Sequence, residues 1–231
     1  MSTPAEKHAF RVSGETALTL VAFIVFFTAL LAWAFLFTKP TIEQSARAEK
    51  MAVLNQILPV RLYNNDPLAD TLTLPPEPEL GTTAPATIYR ARLSGKPSAL
   101  VIDVVAPDGY SGNIKMLAAF NATGQVIGVR VIEHKETPGL GDYIDPRKDK
   151  NKDQLWINQF NQVPEDLSAQ QWHVRKDGGD FDAYAGATVT PRAVVKAIYK
   201  AQQFVKTHRQ ALFAREGTGG RSNAPTEPRL Q

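Results

Sequence analysis

The longest apolar run comes first: residues 16–37 are 22 residues without a charge, dominated by Leu, Val, Ala and Phe. At 1.5 Å per residue they span about 33 Å as a helix, enough to cross a bilayer. The run is long for a signal-peptide core, and no small-x-small cleavage pattern follows Phe37, so a retained transmembrane helix over 16–38 is predicted. Next, Thr41 and Gln44 form a capping-box pattern, and Ile42, Ala46, Val53 and Ile57 share a helical face that Glu49 interrupts. This second helix fits packing on its own domain or on a neighbour equally well. Residues 64–85 hold Pro67, Pro75, Pro76, Pro78 and Pro85 and read as an irregular linker.

The pattern then changes period. Residues 86–93, 99–106, 113–120 and 125–134 are rich in Val, Ile and other apolar residues and are separated by short Gly-, Pro- and Asn-bearing links. Links this short imply an antiparallel meander. Helical patterns follow around 154–160 and over 191–208, where Val194, Ile198, Ala201 and Val205 share a face. Strands first and helices afterwards predict an α+β domain over 86–212 with helices packed on one sheet. The polar end, 213–231, is expected to be disordered.

Composition narrows the chemistry. In 231 residues the formal charge is only +3, and the pI near 9.1 comes from scattered Lys and Arg, so nucleic acid is not an expected partner. There is no Cys, which excludes disulfides, thiolate metal sites and a cysteine nucleophile. Lys7 and Arg11 on one side of the span face Lys39, Arg47 and Lys50 on the other, so the positive-inside count barely decides orientation. A tail of residues 1–15 before the span and a large domain after it favour a cytoplasmic N-terminus and an extracytoplasmic domain.

Three stretches offer chemistry. Around Thr188, the small residues Gly186 and Ala187 allow a bulky group close approach, while Thr190 and Pro191 read as N-cap and N1 of a helix. A tight turn capped by Thr190 accounts for this stretch; a phosphate-bearing ligand at Thr188, near the positive end of a helix dipole, is the sharper alternative. The loop 133–142 contains the Pro138-Gly139 turn and Gly141, where backbone can approach a ligand closely. His134 and Glu136 there could share an acid/base or metal site, or simply belong to a polar loop, and no second His stands at ligand spacing. In the loop 174–182, Gly178-Gly179 could turn Lys176 toward an anion at Thr188, or form a surface turn; Asp177, Asp180 and Asp182 lack the further ligands of a cation cage.

At these residues the chain resembles a known family, the G subunit of the Rnf ion-translocating ferredoxin:NAD⁺ oxidoreductase, also called the Rsx electron transport complex. Four blocks carry the likeness in order: APDGYSG at 106–112, HKETPGLGD at 134–142, KDGGDFD at 176–182 and GATVTPRAVV at 186–195. The family's flavin motif, Asp-x-x-Ser/Thr-Gly-Ala-Thr, matches Asp182, Gly186, Ala187 and Thr188, with Ala185 where Ser or Thr is usual. The resemblance implies FMN joined through its phosphate to Thr188 by a flavin transferase. It also implies that Glu136, Thr137, Leu140 and Gly141 lie against the flavin, with Thr190 nearby and Lys176 toward its polar edge or ribityl chain. Implied too is a non-autonomous electron-relaying subunit of a membrane complex, bound to other subunits and lipid in a bacterial inner membrane, with its domain on the periplasmic side. The alternatives are the related C subunit of the sodium-translocating NADH:quinone oxidoreductase and, from another class, a cofactor-free membrane-anchored assembly or sensory module.

Overall fold

The computed structural model describes residues 4–214, which divide into two compact units at residues 51 and 52. The first unit is the body of one helix, α1 (Pro4–Ile57). Its apolar stretch is exposed all round, with Phe23, Phe26, Leu31, Trp33 and Phe37 uncovered. From Leu20 onward the helix is long and apolar enough to cross a membrane.

The expected break at Pro40 is absent. α1 continues through Pro40 and Thr41, so the capping-box pattern at Thr41 starts no new helix. Proline removes one backbone donor, but the many remaining turns hold a long helix together, and a continuing helix keeps the other backbone groups paired near an apolar phase. The Thr38 hydroxyl donates to the Ala34 carbonyl one turn earlier, the back-bonding typical of Thr in such helices. Most of the expected N-terminal tail is helical as well, from Pro4 onward. The expected disordered tail lies, from residue 215 on, outside the described residues.

The second unit is built on one antiparallel meander, β1 (Thr71–Leu74), β2 (Ala86–Leu93), β3 (Lys96–Ala106), β4 (Ile114–Asn121) and β5 (Val126–Glu133), in that spatial order. The four expected strands are present to within three residues at each end. β1 is an addition inside the Pro-rich stretch. Its Thr-Leu-Thr-Leu alternation puts Leu72 and Leu74 on the core face, and Pro75-Pro76 stops it, as suits a short edge strand. β2 and β3 are joined by a two-residue turn with Ser94 and Gly95 both at positive φ (52° and 75°), the primed hairpin geometry.

Alternation along the strands feeds two cores. Leu100, Ile102 and Val104 point to the larger one, which α2 (Val189–Phe213) closes with Val194, Ile198, Ala201 and Val205. Ala99 and Val101 point to the other face, where Leu54, Ile57 and Leu58 pack with Ala91 and Ala119. The end of the N-terminal helix therefore packs on this domain. Gly128 makes room for it, since a Cβ there would stand 2.9 Å from the Ile57 carbonyl oxygen. The expected helix near 154–160 is a 3₁₀ turn (Trp156–Phe160) whose Trp156, Ile157 and Phe160 are buried in the larger core. The result is an α+β domain in three layers.

Candidate functional site

Tyr184 to Ala187 form a tight turn, with the Ala187 N–H donating to the Tyr184 carbonyl at 3.2 Å. Its third position, Gly186, has φ +87°, the left-handed value that a type II turn demands and that L side chains avoid. The turn delivers Thr188 to the N-cap of α2, where its hydroxyl is half-buried and makes no capping bond. The first helical bond runs from the Arg192 N–H to the Thr188 carbonyl, 3.3 Å. Thr190 is therefore the second helical residue and Pro191 the third, not N-cap and N1. The helix starts early because the Thr190 side chain is claimed elsewhere. Buried at 2 % exposure, its hydroxyl donates to Glu136 Oε2 at 2.5 Å, a charge-assisted bond stronger than a neutral cap.

Glu136 is itself buried and accepts from the Ser111 N–H at 3.1 Å. It sits at the floor of a cleft of about 240 Å³ lined by Tyr110, Glu136, Thr137, Leu140 and Gly141 on one wall and by residues 186–190 on the other. The first wall is a tightened loop. Leu140 and Gly141 N–H both donate to the Thr137 carbonyl at 3.1 Å, and Gly139 N–H donates to Asp142 Oδ1 at 2.8 Å. Gly141 permits contact between the walls, because a Cβ there would lie 2.6 Å from Thr190 Oγ1 and 2.8 Å from Glu136 Oε2. Tyr110 and Leu140 are exposed, at 71 % and 52 %, and give the cleft apolar lips.

Eight of the predicted site residues thus meet in one place: Glu136, Thr137, Leu140, Gly141, Gly186, Ala187, Thr188 and Thr190. Three do not line this cleft. Lys176 is exposed on a short 3₁₀ turn (Arg175–Asp177), where its neighbour Asp177 takes both bonds of the Arg192 guanidinium. Ala185 is exposed at the second position of the turn. Asp182 pairs with Arg175 at 2.9 Å, while its backbone carbonyl accepts from Trp156 Nε1 at 2.7 Å and its N–H donates to Gln159. Asp182 therefore anchors the approach to the turn and lines a separate cleft with Tyr184.

Sequence reasoning passed over Tyr110, Val189 and Tyr143. Tyr110 belongs to the 106–112 block, so a site search over that block would have found it. Tyr143 has no local signature. It is buried next to Asp142, stacks on Tyr184 with centroids 4.2 Å apart, and bonds the turn at two points. Burial pushes its phenol up to about 12. Tyr184 is raised as well, first by burial and then by the carboxylate of Asp149, to which its hydroxyl donates at 3.3 Å.

Comparison with known proteins decides the family. Residues 109–203 match the FMN-binding domain model and residues 13–57 the RnfG N-terminal region model. The G subunit of the ion-translocating oxidoreductase complex of Vibrio atlanticus is 44 % identical over 87 % of this chain and 93 % of its own length. Its counterparts in Vibrio cholerae (43 %; 86 % and 92 %) and Shewanella baltica (41 %; 84 % and 90 %) are similar to the same extent. The chain belongs to the family of G subunits of ion-translocating oxidoreductase complexes. The FMN-binding domain match covers both walls of the cleft, the RnfG N-terminal match covers most of α1, and this membership together with α1 supports association with a membrane.

Proposed function

We propose that this protein relays electrons through FMN held covalently, by a phosphoester between the FMN phosphate and the Thr188 oxygen. The observation that carries the reading is an uncommitted, half-buried hydroxyl at the N-cap of α2, facing the cleft floored by Glu136. The residues suit the group. The Val189 and Thr190 N–H groups open the helix without intrahelical partners and favour phosphate, and the helix dipole adds to them. The lips Tyr110 and Leu140 offer apolar surface to a planar ring system. The Glu136 carboxylate accepts from Thr190 and Ser111, which fix its position and shape the floor.

FMN, when bound, supplies the one- and two-electron chemistry that no side chain of this Cys-free chain provides. The chain's own residues fix where it stands. Gly186 and the Tyr184–Ala187 turn hold the attachment oxygen, and the Thr190–Glu136 bond holds the start of α2 against the 136–141 loop. Lys176 and Asp182 do not line the cleft; Asp182 belongs to the flavin motif and anchors the approach to the turn. By family, the partners are the other subunits of an Rnf-type complex, with a flavin transferase during maturation and lipid around α1. The domain then stands on the periplasmic side of the inner membrane. A tether there prevents loss of the cofactor by dilution.

The deciding measurement is the intact mass of the full chain, purified from cells with an active flavin transferase, with the modified peptide mapped. One FMN adduct on the peptide containing Thr188 is expected, absent in Thr188→Val at unchanged folding. An unmodified native chain, or an adduct that survives in Thr188→Val, would overturn the assignment.

A further inference from the structure

The two walls of the cleft are far apart in sequence, and one side chain outside the cleft ties them together. Tyr143 sits in a 3₁₀ turn (Asp142–Ile144) directly after the 136–141 wall. Its hydroxyl accepts from the Tyr184 N–H at 3.3 Å and donates to the Ala187 carbonyl at 3.2 Å. These are the first and last residues of the turn that carries Gly186. A single phenol oxygen therefore spans the same four residues as the turn's own backbone bond. Phenylalanine would fill the same space and make neither contact.

The geometry points to Tyr143 as a positioning residue that locks the 184–187 turn and so aims the Thr188 oxygen for modification. This rests on Thr188 being the attachment oxygen. The ring supplies the platform, packed on Tyr184 at 4.2 Å and edge-on to Trp156 at 5.5 Å. The hydroxyl supplies the register. A donated bond to Ala187 requires the phenolic proton, and burial keeps that proton in place up to about pH 12. The lock is thus insensitive to pH over the range in which the protein lives. Asp149 extends it by accepting from the Tyr184 hydroxyl, so the turn's first residue is held at both its backbone and its side chain.

The test compares the full-length wild-type chain with Tyr143→Phe and with Ile144→Val, a neighbouring core change that leaves the Tyr143 hydroxyl in place. Amide hydrogen exchange is read on chains made without flavin transferase, and the initial rate of flavin incorporation on chains made with it. In Tyr143→Phe, which loses two hydrogen bonds, exchange across 184–188 should rise about fivefold or more, with β3 and β4 unchanged. Flavin incorporation should slow by a similar factor, and Ile144→Val should show neither effect. Unchanged exchange at 184–188, or faster exchange with an undiminished incorporation rate, would overturn the role. Wild-type chain that takes no flavin at Thr188 would instead sink the attachment reading, while the exchange data would still report whether Tyr143 holds the turn.

Discussion

The two ends of α2 are built in opposite ways. At the C-terminal end, two buried arginines from β2 seal the helix: Arg90 donates to the Ala214 carbonyl at 2.6 Å and Arg92 to the Phe213 carbonyl at 3.1 Å. Asp70 stands behind both, 2.7 Å from Arg90 Nε and 2.6 Å from Arg92 Nε. Cationic donors there answer the negative end of the dipole and its orphan carbonyls at once. At the N-terminal end no acid occupies the first turn, Thr188 withholds its hydroxyl from capping, and the carboxylate beneath it, Glu136, bonds a side chain. The helix is thus fixed to the sheet at its C-terminal end by Arg90 and Arg92 and left uncapped by any side chain at its N-terminal end. The uncapped end is the one at which the proposed function attaches FMN.

The contrast breaks most visibly at the sealed end. Asp70→Ala leaves two buried guanidinium groups facing each other, and a loss of about 3–5 kcal/mol in urea unfolding is expected. The flavin content of the surviving folded chain should not change. Burial pushes the Asp70 carboxyl up, but the hydrogen bonds and charges of Arg92 and Arg90 outweigh it and hold it below its usual value. A depressed folded pKa gives stability that is fully present above the unfolded value, about 4, and lost as pH falls through the lower folded value. Acid unfolding below about pH 4 should therefore be shallower in Asp70→Asn than in the wild type.

At the open end, Gly141→Ala forces a methyl between Thr190 and Glu136. It should cost about 1–3 kcal/mol and, unlike Asp70→Ala, lower flavin incorporation as well. Equal effects of the two variants on incorporation would erase the distinction between the ends. The smallest effect belongs to Ala185→Ser, at an exposed turn position with no partner to gain. Stability should stay within about 0.5 kcal/mol and incorporation should not fall.

The difference between the ends also explains what could be read from the chain. The open end lies in one run of sequence, and its Gly, Thr and Pro signals are local, so the turn, the helix and the place of Thr188 at the helix start were all legible. The offset of two residues at the helix start was not, because the rival for the Thr190 hydroxyl, Glu136, lies 54 residues away. The sealed end joins Asp70, Arg90 and Arg92 to residues more than 120 positions later, and no periodicity signals a pairing of that range. β1 escaped notice for a related reason, since four residues among prolines become a strand only when β2 offers its edge. Continuity of α1 through Pro40 reflects cooperativity along the whole helix, which a local rule about proline does not weigh.

Pro191 has one further effect. As the third helical residue it has no N–H, so it cuts by one the donors that the opening turn of α2 would otherwise leave unmet. The unmodified chain then has three amides at the helix start, those of Thr188, Val189 and Thr190, without an intrahelical partner, a small penalty for a domain with two packed cores. Folding therefore need not wait for the cofactor. On the proposed function, the polypeptide folds first and receives its flavin as a late step on a finished scaffold.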